Sequence, residues 1–262
     1  MDDHKFTRLS ICADTVLLKL PFLERAKRIS RAGFLVEFWG WSGRDVDAIA
    51  EDSSIQISAF TGYLKGSMVH PDGVEEFLRG IETSAEVAAK LRCKSLFLSS
   101  GELDNRGQVV HQIASHPATK WITAYRTLCR LAEFAEKHQL VYNLEHLNTK
   151  VDHPGFPFSH AEDVLRLLTE VGSPRIKMLF DIYHAQIEDG NVIETIRACA
   201  PFLGHVHVAD VPGRHEPGTG EIHYEHVATA LRDAGFDGVI GLEAYPLSDD
   251  MEAMVQFRRV FS

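Results

Sequence analysis

Leu140-Val-Tyr-Asn-Leu-Glu145, then Ser159-His-Ala-Glu-Asp-Val-Leu-Arg-Leu-Leu-Thr-Glu-Val-Gly172, then Lys177-Met-Leu-Phe-Asp181: these stretches, in this order, decide the fold. The first and third are short apolar runs that end on an acid. The middle one carries a helical stripe of Val164, Leu165, Leu167, Leu168 and Val171. Ser159 and Glu162 make a capping-box pattern at its start, Gly172 is a helix stop, and Pro174 resets the chain for the next run. Strand, helix, strand in succession is a crossover unit, which is how parallel strands are joined.

The same grammar extends along the whole chain. Apolar runs at Leu9–Ala13, Leu35–Phe38, Ile55–Phe60, Ser95–Leu98, Val141–Glu145, Lys177–Asp181, His205–Ala209 and Val239–Glu243 read as strands with helical patterns between them. A long helix is expected from about Pro117 to Lys137, with Ile122, Leu128, Leu131, Phe134 and Ala135 toward the barrel. Eight such units predict one closed (β/α)8 barrel over residues 1–262, a length typical of that α/β fold. An open doubly wound sheet is disfavoured because no G-x-G-x-x-G follows the first run. No linker or low-complexity tract marks a second domain.

Chemistry concentrates at the ends of these runs. Glu145, Asp181, His207 and Glu243 each close or follow an apolar segment, so in a closed barrel they converge at the C-terminal mouth. Three carboxylates and one imidazole suit a divalent cation. Each acid also admits a plainer reading, Glu145 and Glu243 as salt-bridge partners and Asp181 as a helix cap. The recurrence at four strand ends favours the metal site. His184 lies three residues past Asp181, placed to meet substrate oxygens. His205 and His207 alternate on one face of their strand, and His205 reads as a core histidine. The segment Asp210–Glu221 has Gly213, Pro217, Gly218 and Gly220 beyond Pro212, a rigid frame from which Arg214 can offer a planar fork to a carboxylate. Trp39 and Trp41 can wall a small substrate or pack between helices and barrel. The longest connections, Ser99–His116 and His146–Phe158, follow strands four and five and are expected to shape the mouth.

Bulk properties narrow the partners. A net charge of −10 argues against a nucleic-acid surface. No apolar run approaches membrane-spanning length, and the opening Met1–Arg8 has no apolar signal region. Cys12, Cys93, Cys129 and Cys199 are scattered with no C-x-x-C pair, as in a cytoplasmic protein with reduced thiols. A homo-oligomer is compatible with this composition.

Four segments carry a resemblance. Val36-Glu-Phe-Trp39, Leu144-Glu-His-Leu-Asn-Thr-Lys-Val-Asp-His-Pro-Gly155, Phe180-Asp-Ile-Tyr-His-Ala-Gln186 and Pro212-Gly-Arg-His-Glu-Pro-Gly-Thr-Gly-Glu221 resemble the hydroxypyruvate isomerase family of xylose-isomerase-like barrels. The resemblance implies that Glu145 and Glu243 are both metal ligands and the acid/base pair, that Asp181 completes the site, and that His184 and Arg214 touch substrate. It also implies a Mn²⁺ or Mg²⁺ cofactor and a small hydroxy-carbonyl substrate. Two positions depart from the pattern. His207 stands where this family has Gln, as in the related ketose 3-epimerases, and it softens the donor set toward Mn²⁺, Co²⁺ or Zn²⁺. Val151 stands where the epimerases carry a substrate-binding glutamate. The expected function is a metal-dependent isomerase of a small hydroxy-oxo acid, with a ketose 3-epimerase or 2-oxo-tetronate isomerase as the alternative. A nuclease on the same barrel is disfavoured by the acidic charge.

Overall fold

The computed structural model describes residues 6–104, 106–110 and 114–262. Residues 1–5 of the opening segment and four positions of the long connection after strand four lie outside the described residues.

Eight strands form a closed, wholly parallel barrel in sequence order: β1 (Leu9–Cys12), β2 (Leu35–Phe38), β3 (Ile57–Thr61), β4 (Ser95–Ser99), β5 (Val141–Glu145), β6 (Ile176–Asp181), β7 (Leu203–Val208) and β8 (Val239–Leu242). Closure runs through β8 and β1, where Leu9 pairs with Ile240. The helices are α1 (Phe22–Arg31), α2 (Val46–Glu51), α3 (Val74–Lys90), α4 (Pro117–His138), α5 (Ala161–Val171), α6 (Ile182–Glu188), α7 (Val192–Cys199), α8 (Tyr224–Asp233) and α9 (Asp250–Phe261). The expected (β/α)8 architecture is therefore the observed one.

Two apolar layers result. The large one lies between strands and helices and takes Val36, Phe38, Leu96, Leu98, Leu144, Met178, Phe180 and the buried stripes of the helices. A small separate cluster of Ala59, Phe97 and Leu179 lies inside the barrel. Alternation along each strand thus turns one set of residues to the helices and the other to the barrel axis. Closure gives every backbone edge a partner and aims the strand C-termini at one mouth.

The structure corrects three local expectations. β3 begins at Ile57, because Ile55 still closes a turn onto the Asp52 carbonyl at 3.1 Å. α5 begins at Ala161, two residues after Ser159, with His160 at the N-cap and no side-chain cap bond from it. The capping role passes to Asp189, whose carboxylate accepts from the Ala161 N–H at 3.2 Å and meets His160 Nδ1 at 2.5 Å. An anionic acceptor at a helix N-terminus outcompetes a neutral hydroxyl, and Ser159 bonds Glu188 instead. Ile122 is exposed, not turned to the barrel. It lies about 200° around the helix from Ala124, which leads the buried stripe Ala124, Leu128, Leu131, Ala135. Gly172 behaves as expected, with φ 63° and its N–H on the Leu168 carbonyl at 3.0 Å.

The four cysteines are all free thiols. Among the described residues, no helix is long and apolar enough to cross a membrane.

Candidate active site

Glu145 and Asp181 are the last residues of β5 and β6, His207 is the penultimate residue of β7, and Glu243 follows β8 directly. The barrel brings one ligand atom from each to within 4.8 Å of the others. His207 Nδ1 lies 3.3 Å from Glu145 Oε1, 3.4 Å from Glu243 Oε2 and 3.9 Å from Asp181 Oδ2. Asp181, His207 and Glu243 are buried, and Glu145 is partly buried.

Three carboxylates packed this closely cannot all stay charged without compensation. Burial, with Glu145 and Glu243 alongside, pushes Asp181 up to about 7 even though Arg214 draws it down. Burial likewise raises Glu145. Burial also presses on Glu243, but His207, Arg214 and the Trp39 N–H outweigh it and hold the group below its ordinary value. The donor set and the crowding both fit a divalent cation, which would relieve the mutual repulsion.

The two glutamates, alike in sequence context, are held differently. Glu243 is clamped: Trp39 Nε1–H donates to Oε1 at 2.5 Å and Arg214 Nη2–H donates to Oε2 at 2.5 Å. Glu145 meets His207 Nδ1 through one oxygen.

Arg214 owes its position to the loop between β7 and α8. Asp210, fully buried, accepts from the N–H groups of Val211, Gly218, Gly220 and Ile222 at 2.9 to 3.1 Å and so folds the loop about one carboxylate. A Cβ at Gly220 would stand 2.1 Å from the Val211 carbonyl oxygen, so only glycine fits. Arg214 itself sits at φ 57°, with its carbonyl held by the Tyr245 N–H at 2.8 Å. Its guanidinium lies 5.0 Å from the Tyr183 ring centroid and 3.8 Å from Asp181 Oδ2. Its buried Nε has no partner among the described residues.

His184 lies on α6 just beyond Asp181, whose Oδ1 accepts its backbone N–H at 3.0 Å. Its Nδ1 faces two donors of Asn148, the backbone N–H at 3.1 Å and the side-chain amide at 2.7 Å. A nitrogen that accepts from two N–H groups carries no proton, so the proton of the neutral ring sits on Nε2. That nitrogen is buried and has no hydrogen-bond partner among the described residues.

These groups line one cavity of about 1030 Å³, with Trp39, Glu145, His184, Arg214, Glu243 and Tyr245 among its walls. The loops after β4 and β5 close one side, joined by His153 Nδ1 against the Gly107 carbonyl at 2.5 Å and by Gln108 Nε2 on the Asp152 carbonyl at 3.3 Å. Trp41 is elsewhere: it packs against the core with Nε1–H on Ser84 Oγ at 2.9 Å.

Sequence reasoning missed Glu37, Asn148 and Asp210. Glu37 is fully buried, with His205 Nε2 at 3.0 Å and His207 Nε2 at 3.2 Å from its carboxylate. His205 is thus a buried histidine that meets a carboxylate. The only sequence signal for Glu37 was an acid inside the apolar run Leu35-Val-Glu-Phe38. Asn148 and Asp210 stand in loops with no periodicity to single them out.

A family model described as xylose isomerase-like TIM barrel matches residues 25–259. The hydroxypyruvate isomerase of Escherichia coli (strain K12) is 30% identical over 182 residues, covering 70% of this chain and 67% of that one. The 2-oxo-tetronate isomerase of Pectobacterium atrosepticum is 29% identical over 238 residues, covering 87% of each. A crystal structure described as AP endonuclease, family 2, from Brucella melitensis has a TM-score of 0.87 at 25% identity and covers 98% of this chain and 100% of that one.

Proposed function

The chain belongs to the xylose isomerase-like TIM barrel family, and from that premise we propose that it is an isomerase of a small hydroxy-oxo acid, of the hydroxypyruvate to tartronate semialdehyde type. The observation that carries this reading is the cluster of Glu145, Asp181, His207 and Glu243 within 4.8 Å, with both glutamates flanking the same His207 nitrogen. A divalent cation held by these four, Mn²⁺ or Mg²⁺, would supply positive charge for the substrate's adjacent carbonyl and hydroxyl oxygens.

The protein's own groups divide the remaining work. One glutamate removes a carbon-bound proton and the other returns a proton to the neighbouring carbon, by way of an enediolate; the substrate's hydroxyl proton passes to the former carbonyl oxygen, and proton exchange with solvent resets the two carboxyls. Glu243, anchored by Trp39 and Arg214, keeps its charge and its position between turnovers. Glu145 has fewer donors and a carboxyl raised by burial, which suits it to hold a proton and release it. His184 Nε2–H is a neutral donor for a substrate oxygen. The unpartnered Nε of Arg214 is a donor for the substrate carboxylate, and the Trp39 ring walls the carbon chain. A reducing, cytoplasmic setting accords with the free thiols, and an acidic chain suits a small-molecule substrate better than nucleic acid.

The test is proton NMR in D₂O with added Mn²⁺, presenting hydroxypyruvate, 2-oxo-tetronate and free ketoses side by side. Deuterium entering a hydroxy-oxo acid at the former carbonyl carbon supports isomerisation, whereas deuterium only at the carbon that lost the proton does not. No exchange with any oxo acid overturns it. The cavity favours a second reading, because about 1030 Å³ exceeds what a three-carbon acid fills. A ketose 3-epimerase would use the same two carboxylates and return the proton to the opposite face of one carbon.

A further inference from the structure

Beneath the four-residue cluster, on the barrel axis, lies a carboxylate that the proposed reaction does not use. Glu37 points inward from β2, fully buried. Its Oε2 lies 3.0 Å from His205 Nε2 and its Oε1 lies 3.2 Å from His207 Nε2. No lysine or arginine forms an ion pair with it among the described residues; the two imidazoles face it at ion-pair distance, and neither contact has the alignment of a hydrogen bond. The Phe97 ring stands edge-on to both, with centroids 4.8 Å and 5.0 Å away, and limits how either can rotate.

The barrel is shaped to admit this group. Gly241 on β8 pairs with His207 across the sheet. A Cβ at Gly241 would stand 2.1 Å from Glu37 Oε1 and 2.5 Å from Oε2. The carboxylate therefore occupies the space that any other residue at 241 would fill. Burying an anion costs several kcal/mol unless it is well bonded, and apolar residues fill barrel interiors more cheaply. A group placed here at that cost calls for a use, and the geometry supplies one.

We propose that Glu37 is a positioning residue: its carboxylate, 3.2 Å from His207 Nε2, draws the ring proton to that nitrogen and so presents the Nδ1 lone pair to Glu145, Asp181 and Glu243. This rests on the metal-site reading given above. The physical reason is tautomer control. A neutral imidazole carries one proton, and a carboxylate facing Nε2 keeps it there, which leaves Nδ1 as a ligand of fixed orientation and raised basicity. His205, on the other oxygen, holds the carboxylate itself in place. The Glu37, His205, His207 group also has three ligand-type atoms within 4.8 Å of one another, so the rival role for Glu37 is ligation of a second ion.

The test uses the full chain, stripped with chelator and titrated with Mn²⁺ by calorimetry, as parent and as Glu37→Gln, with thermal melting beside it. The parent is expected to bind one equivalent. Glu37→Gln is expected to bind about 10- to 100-fold more weakly, with turnover recovering at excess Mn²⁺. Undiminished Mn²⁺ affinity with only a lower melting temperature makes Glu37 structural and overturns the proposal. Two equivalents in the parent and one in the variant make it a ligand and also overturn it. A parent that binds no divalent cation removes the metal-site reading itself, an outcome distinct from the other two. If Glu37→Gln does not fold, ¹⁵N-histidine spectra of the Zn²⁺-loaded parent decide. A His207 ring protonated at Nε2 supports the proposal, and one protonated at Nδ1 overturns it.

Discussion

At the scale of single residues, the site separates two glutamates that the sequence presents as equivalents. Glu243 is gripped by Trp39 and Arg214, whereas Glu145 meets the His207 imidazole through one oxygen. In the proposed reaction, replacing either by Gln would remove a proton carrier and a ligand oxygen's charge together. Glu145→Gln and Glu243→Gln are each expected to lower kcat by at least about 10²- to 10⁴-fold. Steady-state rates at saturating Mn²⁺ check this, and near-parental turnover in either would rule out a two-glutamate mechanism. Arg214 has a double role to test. Arg214→Met strips a charged partner from Glu243 and a donor from the cavity, so every substrate should suffer. If it also holds the substrate carboxylate, kcat/KM for hydroxypyruvate should fall about ten- to a hundredfold further than for a neutral ketose, the worth of a charge-assisted hydrogen bond. Equal losses confine Arg214 to bracing Glu243.

At the scale of elements, precision comes from loops that are organised around buried carboxylates. Asp210 gathers four backbone N–H groups of the loop that carries Arg214. Glu188 anchors the loop after β5, accepting from the Thr149 N–H at 2.9 Å and hydroxyl at 2.8 Å. Buried Glu216 ties the Arg214 loop to the segment after β8 through the Leu247 N–H at 2.9 Å. Asp210→Asn replaces one acceptor oxygen by an N–H₂ group that faces donors. We expect a stability loss of about 1–3 kcal/mol, faster protease cleavage between Pro212 and Glu221, and reduced turnover with Glu145, Asp181, His207 and Glu243 unchanged. Thermal melting with limited proteolysis checks this; an unchanged melting point and cleavage rate would mean the loop is held by its flanks.

At the scale of the whole molecule, the barrel's mouth is a place where the fold itself is electrostatically uneasy without a cation. Asp181 is raised in the native state to about 7 from an ordinary 3.8. The native state therefore binds this proton more tightly than the unfolded chain. That contribution is fully present at low pH and is lost as pH rises through about 7. In the proposed site a cation would take the proton's place and would bind best to the ionised carboxylates. The metal-free protein should thus lose stability between about pH 4 and pH 7 through Asp181, and the melting-point gain from saturating Mn²⁺ should be larger at pH 8 than at pH 5.5. At a hundred times Kd the cation is worth about 2.7 kcal/mol. Differential scanning fluorimetry with and without chelator measures both effects, and a gain independent of pH would contradict them.

Much of this molecule is determined locally. Apolar runs ending in acids, helical stripes between them and turn formers in the loops are all contained in short windows, and they specify eight parallel strands, closure, and a mouth that collects Glu145, Asp181, His207 and Glu243. Strand ends converge in any such barrel, so position along the chain alone places these four side chains together. What the tertiary structure decided is everything set by partners distant in sequence. The capping of α5 passes from Ser159 to Asp189, because the competing acceptor arrives from another helix. Arg214 turns to Glu243, and Trp39 joins it there, because β2, the β7 loop and β8 meet only when the barrel closes. Glu37 is one acid in an apolar run until β7 sets two imidazoles beside it and Gly241 leaves it room. Periodicity reports which way a residue faces; hydrogen-bond partners, proton positions and the balance of buried charge depend on distances that exist only in the folded chain.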